Sequence, residues 1–139
     1  MAKYGSVNAK VEFDLVGGTL QDMSLYITSV GGIEIEALTE ESTPFTTAWA
    51  TALATGNFKM ADVELEGYYD DTATTGPDVV FNVLSNGPAA VTRTLKITYG
   101  STKTTSVETL IVKYARTLAR NGITKFKVTL RPTGAITEA

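Results

Sequence analysis

Apolar and polar residues alternate in several stretches of this chain, and such alternation marks strands with one face on a core. In residues 11–15, Val11, Phe13 and Leu15 oppose Glu12 and Asp14, and Gly17-Gly18 then signals a turn. Residues 23–28 continue the pattern with Met23, Leu25 and Ile27 on one face. Residues 33–38 form a short strand, and residues 60–69 a longer one, with Val63, Leu65 and Gly67 against Asp62, Glu64 and Glu66. Residues 90–99 place Val91, Arg93, Leu95, Ile97 and Tyr99 on one side. Residues 107–120 fit a strand with Leu110, Val112, Tyr114 and Leu118 on one face; its Thr and β-branched content weighs against a helix. Asn121-Gly122, the strongest hairpin signal present, joins it to a strand at residues 123–131.

Two stretches read as helix. Thr43 suits an N-cap, Pro44 the first helical turn, and Phe45, Trp49 and Leu53 recur every four residues, with Thr55-Gly56-Asn57 as the stop. Residues 77–84 carry Val80, Phe81 and Leu84 behind Pro77 and end at Asn86-Gly87-Pro88; a strand is the rival reading, since Val79, Phe81 and Val83 also alternate. The sum is about seven strands, one or two short helices and a long structured loop. Together they predict a mainly β fold, an antiparallel sandwich or partial barrel.

The 139 residues suffice for one domain with a sizeable core. No apolar run is long enough to span a membrane, so a soluble protein made in the cytoplasm, without a membrane partner, is expected. The chain has no Cys and no His, which removes thiol nucleophiles, disulfides, imidazole bases and the usual zinc sites. The net charge of −3 is unevenly spread: residues 1–92 carry 3 basic and 13 acidic side chains, and residues 93–139 carry 9 basic and 2 acidic ones. Either the halves neutralise each other as neighbouring strands, or they separate onto faces that meet between subunits. Nucleic-acid binding by the basic half finds no motif with interleaved aromatics.

Candidate chemistry is sparse. Asp70 and Asp71 in a Thr/Gly loop are oxygen ligands of the kind Ca²⁺ takes, but the EF-hand pattern is absent, and hydrogen bonding within the turn is the simpler reading. Asp70, Asp71 and Glu108 are the carboxylates for an enzyme reading, and no spacing selects a pair. No catalytic residue, metal or cofactor is assigned.

The order TPF, Trp49, Thr55-Gly56, then Leu65-x-Gly67-Tyr68-Tyr69-Asp70-Asp71-Thr72-Ala73-Thr74-Thr75-Gly76-Pro77, resembles the major tail tube proteins of long-tailed bacteriophages. So does the last strand running into Pro132-Thr133-Gly134-Ala135-Ile136. The resemblance extends to the related tubes of gene transfer agents and contractile injection systems. The resemblance implies a structural virion protein that closes into hexameric rings stacked as a hollow tube. Its partners would be further copies of itself, a tape-measure protein, and tail terminator and tip proteins. DNA would pass through the bore without specific binding. It also implies a loop over residues 31–57 that reaches the next ring, with Phe45 and Trp49 as apolar anchors; alternatively the two aromatics cap this subunit's own core. Asp62, Glu64 and Glu66 are then candidates for the bore lining, because a conduit must not hold phosphate; an ordinary solvent-facing strand is the other reading. A β-sandwich module that decorates a capsid or binds a ligand is the competing function.

Overall fold

The computed structural model describes residues 9–14, 19–41, 49, 52–73, 75–84, 87, 91–100 and 102–139. Ten strands and one helix occur among them: β1 (Lys10–Asp14), β2 (Leu20–Asp22), β3 (Ile27–Gly31), β4 (Ile35–Glu41), β5 (Ala52–Met60), β6 (Val63–Tyr68), α1 (Pro77–Phe81), β7 (Arg93–Thr98), β8 (Thr104–Thr117), β9 (Lys125–Pro132) and β10 (Thr137–Glu138). Seven pair antiparallel in the order β2-β1-β7-β8-β9-β6-β3, and β10 adds to β8. β4 and β5 pair only with each other in a second, two-stranded sheet.

The large sheet must curl. β2 and β3 are its two edges, yet only residues 23–26 separate them. A flat sheet would hold those edges six spacings apart, roughly 29 Å. Five chain steps reach at most about 18 Å. The crossing is a turn in which Tyr26 N–H and Ile27 N–H donate to Met23 O, and Met23 N–H donates to Val11 O. Tyr26 O in turn accepts from Tyr68 N–H on β6, next to the β3 edge. The strand expected at residues 23–28 is therefore this turn followed by the start of β3. Backbone pressed against backbone explains Gly67, whose position in β6 calls for an apolar side chain: a Cβ there would sit 2.0 Å from Tyr26 O.

The concave side of the curl holds the core. Val11 and Phe13, Leu95 and Ile97, Val107 and Ile111, Phe126, Val128 and Leu130, and Val63 and Leu65 all point into it. Helix α1 lies across the opening. Gly76 caps it, Pro77 starts it, and Pro77, Val80 and Phe81 are buried while Val79 is exposed, so the helical reading wins over the strand. The helix stops at Phe81, which leaves Leu84 exposed instead of on the apolar stripe. Phe81 completes an aromatic column: Phe13–Phe81 centroids are 4.8 Å apart, Phe81–Phe126 5.8 Å and Phe126–Tyr114 6.2 Å. Such contacts add to the area each ring removes from water.

The expectation about the faces of one strand fails for a local reason. On β8 the buried residues are Thr105, Val107, Thr109 and Ile111, then Tyr114. A bulge between Ile111 and Lys113 inserts a residue and flips the parity, so Leu110 and Val112 do not share Tyr114's face. Leu118 lies beyond the strand and is exposed. The last residues form β10, where Thr104 and Ala139 exchange N–H to carbonyl hydrogen bonds at 3.0 Å.

Candidate assembly surface

Among the described residues, the stretch expected as a long loop over 31–57 holds β4 and the first part of β5, which pair as a two-stranded arm. β3 and β6 pair at the sheet edge, and β4 and β5 continue outward from them after a break. Gly32 makes the break with φ of 90°, and a Cβ there would meet Asp62 O at 2.1 Å. No L side chain fits that turn. Ala61 N–H donates to Glu34 O at 3.3 Å, and Ile35 then pairs with Met60 to start the arm. The helix expected over residues 43–53 is contradicted at Ala52 and Leu53, which lie in β5; Thr43, Pro44 and Phe45 fall outside the described residues. Thr55-Gly56-Asn57 is no helix stop but a bulge. The register jumps there from Ala37↔Phe58 to Thr39↔Ala54, Gly56 takes φ of 83°, and the Thr55 hydroxyl donates to Leu38 O at 2.7 Å.

The arm is apolar where it should be wet. Ile35 and Ala37 face Met60 and Phe58 across the ladder, so these four share one side. Met60 packs on the core, but Ile35 is 60% exposed and Phe58 74%. Trp49 is 83% exposed, so it does not cap this subunit's own core. Among the described elements, β4 and β5 make extensive contact only with each other. At the base of the arm a cleft of about 790 Å³ opens between Leu38 and Phe58 on one side and Arg131, Pro132 and Thr133 on the other.

The polar face of the sheet places Asp62, Glu64 and Glu66 beside the basic strand β9. Glu66 stands opposite Lys127, and Glu64 opposite Thr129. Lys127 Nζ bridges the two carboxylates, 3.3 Å from Glu64 and 3.5 Å from Glu66. Arg131 Nε and a terminal guanidinium nitrogen each lie 3.2 Å from an oxygen of Asp62. Hydrogen bonding and charge from Glu64 raise the Lys127 pKa, and Asp62 does the same for Arg131. The acidic first half and basic second half of the chain therefore neutralise each other here within one subunit.

Sequence reasoning missed the clasp that seats α1. Asp78 Oδ1 accepts from the Tyr114 hydroxyl at 2.9 Å and from Arg116 Nε at 2.9 Å, with a second Arg116 contact at 2.6 Å. Arg116 also stacks over the Tyr69 and Tyr114 rings. At the helix's other end Arg93 donates to Val80 O at 2.8 Å and Asp14 O at 3.0 Å and lies 4.9 Å from the Phe13 centroid. Burial pulls the Arg93 pKa down, which the Asp14 charge opposes. In the loop before α1, Asp70 accepts from Thr72 N–H at 2.7 Å and from the Thr72 hydroxyl, and these bonds hold its carboxyl below the usual range. Asp71 is exposed beside it. No group of three or more acidic side chains suited to a metal occurs among the described residues.

No family model matches the chain, and no curated protein matches it. Solved structures do. A chain in the tail of an empty gene transfer agent particle, refined helically with C6 symmetry, superposes with a TM-score of 0.75 at 13% identity, covering 99% of each chain. A chain of the PVC extracellular contractile injection system, sheath/tube terminator in the extended state, gives 0.73 at 12% identity over 100% of this chain and 98% of that one. One from the six-fold symmetrised baseplate of the anti-feeding prophage gives 0.69 at 12% identity, over 100% and 95%. At such identity it is the fold that is shared: this chain has the antiparallel tail tube fold of those particles.

Proposed function

We propose that this chain is the major tail tube subunit of a phage-like particle, closing into hexameric rings that stack into a hollow conduit for DNA. The hairpin arm carries the reading. A strand pair that leaves Ile35 and Phe58 to solvent, with Trp49 exposed between its strands in the chain, is costly in a monomer and is explained by a second copy that covers it. Each large side chain covered would contribute roughly 1.5–3 kcal/mol. The C6 symmetry of the gene transfer agent tail supports the six-fold closure. The open edges β2 and β3 give neighbouring subunits strands to join, so that edges vanish in the ring. In the ring the polar sheet face, with Asp62, Glu64 and Glu66, lines the bore. The arm, with Phe45 and Trp49, reaches the adjoining copy. A tape-measure protein fills the bore before DNA, and terminator and tip proteins bound its ends. The assembled tail is the site of action, and the host cytoplasm is where the subunit is made.

Sedimentation velocity on the purified protein at rising concentration tests this reading. Discrete ring-sized or larger species that grow with concentration are expected. A single monomeric boundary at every concentration and salt would overturn it.

A further inference from the structure

We propose that Asp62, Glu64 and Glu66 act as an internal mask that cancels the affinity of a cation row on β8 and β9 for the phosphate backbone of DNA. The row consists of Lys113, Lys125, Lys127 and Arg131. Lys113 pairs with Thr129 and lies on the same outward face as the three β9 cations, because the β8 bulge turns it there. Residues 125 to 131 of β9 extend over about 20 Å. Over such a length duplex DNA presents one charge per about 1.7 Å. Bare, this row is a phosphate track on a smooth sheet face.

It is not bare. Lys127 sits between Glu64 and Glu66, and Arg131 against Asp62, on the neighbouring strand. Every carboxylate of the mask pairs with a cation of the row. Among the described residues, Lys113 and Lys125 have no carboxylate at ion-pair distance. The mask thus leaves two of the row's four cations open, too few to hold a polyanion at moderate salt. The acids act by occupying the lysine and arginine that would grip phosphate, rather than as a repulsive wall. The biological meaning rests on the tube reading; the masking itself is a property of the isolated chain.

The test is DNA binding by the purified subunit, read by mobility shift or fluorescence anisotropy with a duplex of about 30 base pairs. The native protein is expected to show no retention at 50 mM salt. Glu64→Gln with Glu66→Gln frees Lys127 and should bind at least about tenfold more tightly. With three cations engaged, affinity should fall about 40-fold between 50 and 200 mM salt. Adding Lys127→Gln should abolish the gain. Asp62→Asn, which frees Arg131, is an independent second arm. If neither the double variant nor Asp62→Asn gains affinity, with circular dichroism showing both folded, the mask is refuted. Gain of binding in a chain that forms no rings or tubes would keep the mask and sink the tube reading instead.

Discussion

At the scale of single residues, the seat of α1 depends on Asp78. Its carboxylate accepts from both Tyr114 and Arg116, and hydrogen bonds to charged groups contribute about 1.5–3 kcal/mol each. Asp78→Ala leaves a buried phenol and a guanidinium without their acceptor and should lower unfolding free energy by about 2–3 kcal/mol in urea melts. Asp78→Asn, which retains an acceptor oxygen, should cost less. A pH dependence follows from the same contact. Burial, and then the hydrogen bond to Asp78, push the Tyr114 hydroxyl up to about 12. An unfolded tyrosine titrates near 10. Because the folded value is the higher one, the contribution is complete below about pH 10 and is lost as pH rises through about 12. Stability should therefore drop by about 2–3 kcal/mol more across that window in the native protein than in Tyr114→Phe. Equal slopes for the two would contradict the role given to the phenol. None of this was legible in the sequence, because Asp78 lies 36 residues from Tyr114 and 38 from Arg116. Periodicity reports on neighbours along an element, not on partners across a fold. Pro77 was legible, since its requirement is local.

At the scale of elements, strands with uninterrupted alternation were read correctly. β6 buries every second residue and β9 does so from Phe126 to Leu130, as their patterns state; β7 buries Leu95 and Ile97, while Val91, expected on the same side, precedes the strand and is exposed. The misses are bulges. In β8 one inserted residue moves Ile111 and Tyr114 onto the same face, although they are three apart. In β5 the Thr55-Gly56-Asn57 bulge looks like a helix stop, because Gly with positive φ serves both purposes. The arm was also misjudged because its apolar side meets no partner within the subunit, so core-seeking logic had nothing to match. That side is the element's prediction. Ile35→Asp with Phe58→Asp replaces exposed side chains, so the thermal midpoint of the monomer should hardly move. Burying those two charges between copies would be prohibitive, so the double variant should stay monomeric where the native protein assembles. Assembly by the variant equal to the native would show that the arm is not an interface.

At the scale of the whole molecule, the curl, the arm and the charge pattern fit one design. A short crossing from β2 to β3 bends the sheet around its core, and α1 fills the opening. The opposite face is left polar with its charges compensated across β6 and β9. The arm leaves the β3–β6 edge with an apolar side and nothing in its own subunit to cover it. The fold class, the helix at Pro77 and the likeness to tail tubes were all legible beforehand. Whether the acids stand beside the bases was left open between two readings, because strand order is a long-range property: β6 and β9 are neighbours although α1, β7 and β8 lie between them in the chain. The most direct measurement is negative-stain electron microscopy of the purified protein at stepped concentrations. The account predicts six-fold rings and hollow tubes, with tubes favoured as concentration rises. Monodisperse single subunits at every concentration, and in the presence of preformed tail tips, would contradict it.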